Sequence, residues 1–190
     1  MLTIMIYANN RFYKQLNNIV AFKELWENSI SGADMLMIAL YLEVDKKKLA
    51  IARGECAKIV IHLMTDKRSV DAVNAVIEYG NGIITEDQLK TYIQPAIDAG
   101  YGIGLGATGY NKTQSLAARA AAFAVNICFD NVGGSAYQAA DASAENDKET
   151  PEKTRAMINL QTADICRNYL TNEVIDRVRL FNKFFTWPVE

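Results

Sequence analysis

The chain is poor in residue types that would point to particular classes of protein. It has three cysteines, three prolines and one histidine among 190 residues, and its net charge at pH 7 is only −2. Three widely spaced cysteines argue against a disulfide scaffold, and a lone histidine argues against a zinc site of grouped Cys and His ligands. Nucleic-acid binders carry a dense basic face, and no such cluster is present. We therefore expect no metal and no nucleic-acid partner.

The sequence also lacks a long hydrophobic run. Residues 1–8 are apolar, but no basic residue precedes them and the polar residues Asn9, Asn10 and Arg11 follow. A bilayer span needs about 20 apolar residues, and a secretory signal needs a basic start. We expect a protein without membrane association, with buried reduced thiols at Cys56, Cys128 and Cys166, and therefore a cytoplasmic location.

Helical periodicity dominates what is present. In residues 116–131, small side chains recur at intervals of three or four, at Ala117, Ala121, Ala124 and Cys128. Residues at this spacing share one face of a helix, and small side chains let a neighbouring helix approach closely. A second, bulkier stripe lies beside the first. Because a helix that is apolar on adjacent faces is typically buried, this segment is predicted to be a central helix.

The remaining segments also read as helices. Ser31, Asp45 and Thr85 are predicted N-caps, and Pro95 predicts a kink or break, because proline removes a hydrogen bond inside a helix. Two separate helices are expected at the end of the chain, one from Pro151 to about Leu170 and one containing residues 174–185. We therefore predict one all-α domain over residues 1–190, a helical bundle or stacked helical hairpins of seven to nine helices. Residues 143–150, which are polar and acidic, are expected to form a mobile loop.

A glycine-rich segment in the middle of the chain has two interpretations. Gly104, Gly106 and Gly109 match the GxGxxG pattern that binds dinucleotides when it follows a buried strand. The preceding residues 92–101 have a helical pattern instead, and no ribose-binding acid follows at the required distance. We therefore favour a broken helix between about Ile103 and Asn111 and predict no cofactor, although such a break would also leave room for a small ligand.

Charged pairs supply most of the candidate site residues. Asp164 and Arg167 lie three residues apart, as do Arg68 and Asp71, and residues at this spacing can face each other on a helix. Structural ion pairs are the favoured interpretation of both.

Asp34 is interpreted as the acid of a capping box with Ser31 and Trp26 as a core residue. His62, with Glu55 two turns earlier on one predicted helix, is interpreted as structural rather than catalytic.

Several of these segments, taken in order, resemble immunity proteins of bacterial polymorphic-toxin systems. The similarity covers Trp26, the ADMLMIAL segment that contains Asp34, residues 49–64 (LAIARGECAKIVIHLM), residues 68–82, the alanine-rich middle and the segment 163–167. The sequence departs from the family pattern at Ser69, where proline is common, and at Tyr79, where tryptophan is common. The resemblance spans about residues 26–170.

This resemblance implies a cytoplasmic, all-helical protein that binds and neutralises a cognate protein toxin through a preformed surface, and that is not an enzyme. The candidates for partner binding or for structural ion pairs are Trp26, Asp34, Arg68, Asp164 and Arg167. Two alternatives remain open. One is a small-molecule-binding protein or enzyme with a pocket at the glycine-rich segment, and the other is a homo-oligomer joined through small-residue faces.

Overall fold

The computed structural model describes Leu16 and residues 18–102, 111–126 and 132–184. These residues form nine α-helices and one short 3-10 helix, and no β-strand occurs among them, so the predicted all-α fold of seven to nine helices is confirmed. The helices are α1 (Ile19–Glu27), α2 (Gly32–Tyr41), α3 (Lys46–Lys58), the 3-10 helix (Ile61–Leu63), α4 (Lys67–Gly80), α5 (Glu86–Lys90), α6 (Ile93–Gly102), α7 (Lys112–Val125), α8 (Gly134–Asn146) and α9 (Pro151–Phe184).

Most helices begin where the sequence places a capping side chain. The Ser31 hydroxyl accepts from the amide of Asp34, and Asp45 accepts from the amides of Lys47 and Lys48. Thr85 and Gln88 form a reciprocal capping box, with distances of 2.8 and 3.3 Å. Each cap satisfies amide groups that have no partner within the first turn, and so fixes the start of its helix.

Proline and glycine act as the sequence predicts. The helix expected around Pro95 is interrupted at residues 91–92, which separates α5 from α6. Pro95 therefore lies in the first turn of α6, where its missing N–H costs no hydrogen bond. Helix α4 ends at Gly80, and Gly82 adopts a φ of +75°, the left-handed conformation that glycine tolerates best.

Three predicted boundaries are wrong. Helix α1 begins at Ile19, because Asn18 is extended and its side chain caps the amide of Ala21, so the helix predicted from about Asn10 is not continuous through Asn18; residues 10–15 and 17 lie outside the described residues. Helix α3 ends at Lys58 rather than near Met64, and a 3-10 turn follows. The two helices predicted at the end of the chain are one continuous 34-residue helix, because residues 171–173 contain neither proline nor glycine to interrupt it.

The predicted loop at 143–150 is also shorter than expected. Helix α8 continues to Asn146, and residues 147–150 join it to α9. In this connection the Asp147 carboxylate accepts from the amides of Glu149 and Thr150 and from the hydroxyls of Thr150 and Thr154. These hydrogen bonds hold the pKa of Asp147 well below its usual value, with the Thr154 hydroxyl contributing most.

The core consists of two hydrophobic clusters. One joins α1, α2 and α8 with the middle and C-terminal half of α9, around Trp26, Leu36 and Leu170. The other joins α4 to α8 and is rich in alanine. Helices α3, α8 and α9 contribute residues to both clusters, α8 through Ala136 in the first and α9 through Ile158 in the second. These three helices therefore connect the clusters.

The alanine stripe of the predicted central helix lies in the second cluster. Ala117, Ala121 and Ala124 on α7 are fully buried, which confirms that part of the prediction. Close approach of α7 and α8 is visible at Gly134, where an added Cβ would lie 2.6 Å from the Phe123 ring. Cys128 and the glycines of the GxGxxG pattern lie outside the described residues.

Candidate functional site

The predicted Asp164–Arg167 pair is present on α9. An Nη of Arg167 lies 2.7 Å from the Asp164 carboxylate, and the guanidinium also donates to the carbonyls of Glu27 at 3.2 Å and Ser29 at 2.8 Å. The side chain of Arg167 is 21% exposed and that of Asp164 is 61% exposed. Arg167 therefore joins the turn between α1 and α2 to the middle of α9, while Asp164 remains accessible to a partner.

Trp26 joins the same two elements from the core side. It is fully buried, as the sequence predicts, and its ring stacks on Phe22 with centroids 6.4 Å apart. The indole N–H donates to the Thr171 hydroxyl at 3.0 Å, and Thr171 in turn donates to the carbonyl of Arg167. Trp26 and Arg167 therefore support the same contact between α1 and α9, and buried Trp26 offers no surface to a partner.

Asp34 lies in the first turn of α2. Its amide donates to the Ser31 hydroxyl at 3.2 Å, so Ser31 is the N-cap that the sequence predicts. The Asp34 side chain does not accept from the Ser31 amide, as a capping box requires, because that amide donates to the Ser29 hydroxyl instead. The Asp34 carboxylate thus acts in the first turn of α2, where the helix dipole favours a negative charge.

The predicted pairing of Arg68 with Asp71 is wrong. Arg68 instead forms a bidentate pair with Asp66, the N-cap of α4, at 2.6 Å, and Asp71 pairs with Lys67 at 2.6 Å. Asp66 also accepts from the Arg68 amide, so one carboxylate serves as both cap and ion-pair partner. This pairing with Arg68 lowers the pKa of Asp66. Asp66 and Arg68 thus stabilise the start of α4 at the protein surface.

Glu55 and His62 do not share a helix, which corrects the expected approach of the two. Helix α3 ends between them, Glu55 pairs with Lys58 at 3.4 Å, and His62 is exposed in the 3-10 turn. His62 instead borders an open cleft of about 680 Å³. The cleft is lined by the 3-10 region, the first turn of α7 and the end of α8, with His62, Thr65, Asn111, Lys112, Glu145 and Lys148 among its residues.

Polar side chains line most of the cleft, and two of its charged side chains neutralise each other. Lys112 pairs with Glu145 across it at 2.7 Å, and their side chains are 58% and 38% exposed. The first turn of α7 borders it, with the Gln114 amide capped by Asn111. The cleft residues that begin α7 directly follow the glycine-rich segment in the sequence. That segment is the one for which a small ligand is the alternative expectation.

The outer face of α9 carries exposed apolar side chains that the sequence pattern does not predict. Met157 and Leu160 are 60% and 46% exposed, and their spacing of three residues places them side by side on the helix. The ion pair between Asp141 and Arg155 fixes the antiparallel register of α8 and α9. Tyr137 lies one turn before Asp141 on α8, and Leu160 lies just over one turn after Arg155 on α9. The antiparallel register therefore places Tyr137 level with the turn of α9 that contains Leu160. Tyr137 is 55% exposed.

Ile30 completes this patch from the turn between α1 and α2. The carbonyls on either side of it are bound by α9, Ser29 by Arg167 at 2.8 Å and Gly32 by the Cys166 thiol at 3.6 Å. Ile30 therefore lies beside α9, about 10 Å or less along its axis from Leu160, and is 71% exposed. We call Ile30, Tyr137, Met157 and Leu160 the junction patch.

The junction patch has a charged rim. Asp164 lies one turn from Leu160 and is largely exposed, and Glu27, whose carbonyl is held by Arg167, has a side chain that is 54% exposed. The Asp141–Arg155 ion pair lies on the α8 side. An apolar centre with a polar rim is the usual anatomy of a protein interface. No periodic signal in the sequence could have revealed it, because three chain segments contribute.

Comparison of the chain with protein-family models, with curated proteins and with solved structures gives no match. Within the described residues, each helix is too short or too polar to cross a bilayer. The same residues contain no group of three or more His, Cys, Asp or Glu side chains placed to hold a metal ion.

Proposed function

We propose that this protein is a cytoplasmic immunity protein that binds and neutralises a cognate protein toxin through its preformed helical surface, and that it is not an enzyme. The observation that carries the proposal is the junction patch. It comprises four of the nine large apolar side chains that are exposed in the described chain, on three segments that meet at α9. Exposed apolar side chains grouped in this way mark interaction sites more often than isolated ones do.

The scaffold beneath the patch supports binding without rearrangement. Arg167 and Trp26 hold the α1–α2 turn against α9, so Ile30 is presented by hydrogen-bonded backbone. Tyrosine and methionine are enriched at protein interfaces, and an anchored surface loses little conformational entropy when it binds. These features suit a tight, preformed contact.

The rim indicates the chemistry of the partner. The carboxylates of Asp164 and Glu27 form ion pairs with Arg167 and Lys23, so the rim carries charges of both signs. A toxin surface with an apolar core and side chains of both charges at its edge would be complementary to it, and such charge complementarity raises the association rate. We therefore propose that the toxin presents a partly apolar face with a rim of mixed charge.

The test uses the product of the open reading frame beside this gene. The toxin domain is expressed under inducible control in cells that contain either no partner or this chain. We expect growth arrest in the first case and growth in the second. A Leu160→Asp variant is expected to bind the toxin at least about tenfold more weakly, because a central anchor is replaced by a charge.

Ile83→Asp provides the matched control. Ile83 is 70% exposed but lies in the turn after α4, away from the junction patch, so this variant should protect as well as the unchanged chain. Melting curves establish that both variants are folded. Full protection by a folded Leu160→Asp variant would contradict the role of the patch, and a harmless neighbouring gene product would contradict the toxin assignment.

The cleft beside His62 favours a second candidate, a small-molecule-binding protein or enzyme. Its volume of about 680 Å³ is sufficient for a metabolite, and its lining offers lysine, amide and hydroxyl groups. Native mass spectrometry of the purified protein distinguishes the two functions. A retained small molecule that is lost in a Lys112→Ala variant would favour this candidate over toxin binding.

A further inference from the structure

Two cysteines that are far apart in sequence are neighbours in the core. The Cys56 thiol, on α3, lies 4.0 Å from the carbonyl oxygen of Thr162 on α9. Within α9 this same carbonyl accepts the amide of Cys166, four residues later, as in any α-helix. The sulfur of Cys56 is therefore beside Cys166, and this interaction with the Cys166 thiol, together with burial, raises the pKa of Cys56.

The surroundings keep this pair together and away from solvent. Both cysteines are fully buried and neither forms a disulfide. The N-terminus of α2 closes the site, because an added Cβ at Gly32 would lie only 2.5 Å from the Thr162 side chain, and the Cys166 thiol is 3.6 Å from the Gly32 carbonyl. Helices α2, α3 and α9 thus meet at the two sulfur atoms.

Removal of the two thiol protons would lower the stability of the fold only slightly. The thiols donate only weak hydrogen bonds, to the carbonyls of Thr162 and Gly32. Both carbonyls lie within helices and keep their backbone partners, so neither would be left unsatisfied.

We propose that Cys56 and Cys166 form a reversible intramolecular disulfide that clamps α3 to α9 when the protein meets a peroxide. One thiolate attacks a peroxide oxygen and breaks the O–O bond, which gives a sulfenic acid and hydroxide. The second sulfur then attacks the sulfenic sulfur and displaces hydroxide, and the two hydroxides take up the two thiol protons as water. The sulfurs are oxidised, and hydrogen peroxide is reduced to two water molecules.

The clamp would act on the helix that carries the junction patch. Cys166 lies between Leu160 and the Arg167 anchor of the α1–α2 turn, so a covalent bond here fixes α9 at the centre of that surface. Burial makes the reaction depend on transient opening of the core. The disulfide therefore forms under sustained oxidation rather than after brief exposure to peroxide.

The test uses the full chain with Cys128→Ala, so that Cys56 and Cys166 are the remaining cysteines. After treatment with hydrogen peroxide we expect the intact mass to fall by about 2 Da, and digestion without reductant to yield one cross-linked peptide pair containing both residues. The bond closes a loop of about 110 residues and should raise the melting temperature by roughly 10 °C, and dithiothreitol should reverse both changes.

A Cys56→Ala variant of the same chain is the control, and it should show neither the mass loss nor the rise in melting temperature. If that variant does not fold, peptide mapping of the oxidised Cys128→Ala protein decides the question alone. The proposal is overturned if peroxide yields separate sulfinic or sulfonic acids, or disulfide-linked dimers, or if both thiols remain free after the methionines have been oxidised. None of these measurements depends on a toxin.

Discussion

At the scale of single residues, the same local motif has two different uses on α9. Asp164–Arg167 and Asp176–Arg179 are both acid–arginine pairs at a spacing of three. Arg179 and Asp176 are 67% and 68% exposed, whereas Arg167 is 21% exposed and donates to two carbonyls of another element. Exposed pairs at this spacing contribute little to stability, so only Arg167 is expected to matter for the fold.

Arg167→Ala is expected to lower the free energy of unfolding by about 1.5–3 kcal/mol, because a charged donor to two backbone carbonyls is lost. Arg179→Ala, its matched control, should change it by no more than about 0.5 kcal/mol. Urea unfolding followed by circular dichroism measures both. Equal midpoints for the two variants would show that the contact with the α1–α2 turn adds nothing.

At the scale of helices, close packing depends on glycine at a few positions. An added Cβ at Gly54 on α3 would lie 2.6 Å from Ile77 and 2.8 Å from Val76 on α4. At Gly102, at the end of α6, an added Cβ would meet no atom of the described residues within 4 Å. Identical substitutions at these two helical glycines therefore test packing and backbone entropy separately.

We expect Gly54→Ala to destabilise the protein by about 1–3 kcal/mol, since α3 and α4 must move apart to admit the methyl group. Gly102→Ala should be neutral or stabilising by up to about 1 kcal/mol, because alanine restricts the unfolded chain and has a higher helix propensity. Thermal melts of the two variants give the comparison. A Gly54→Ala protein as stable as the parent would mean that the α3–α4 contact is looser than this packing requires.

Several helix starts could be predicted from sequence, whereas tertiary partners could not. Ser31, Asp45, Thr85 and Asn111 cap locally, so their signals lie within four residues of the helix that they begin. The wrong partner for Arg68 arose because Asp66 and Asp71 are both in reach, and only the backbone geometry decides between them. Along α9 the buried positions recur every four residues from Ile158 to Val178, so the pattern itself marks no helix end near Leu170.

The candidate surfaces were less predictable still, for a physical reason. The junction patch combines residues from the α1–α2 turn, α8 and α9, and the thiol pair combines residues 110 positions apart, so no periodicity within one segment encodes either. The predicted residues Arg167 and Asp164 lie beside the patch. Their spacing revealed the ion pair, but the contact of Arg167 with the α1–α2 turn required the fold.

At the scale of the whole molecule, α3, α8 and α9 determine whether the two hydrophobic clusters behave as one. Helix α3 contributes Cys56 to the first cluster and Ala57 to the second. Helix α8 contributes Ala136 to the first and Ala139 to the second. Along α9, Ile158 packs in the second cluster and Leu170 in the first. Three continuous helices thus cross both clusters, and neither cluster can lose its packing without exposing apolar faces that the other needs.

We therefore expect unfolding to be a single cooperative transition. Leu170→Ala, in the first cluster, and Val76→Ala, in the second, each remove fully buried methyl groups, and each should lower the free energy of unfolding, by about 2–5 kcal/mol for Leu170→Ala. Calorimetry should show that both variants shift one transition whose calorimetric and van't Hoff enthalpies agree. Two resolved transitions, with each variant moving a different one, would mean that α3, α8 and α9 connect two independently folding halves.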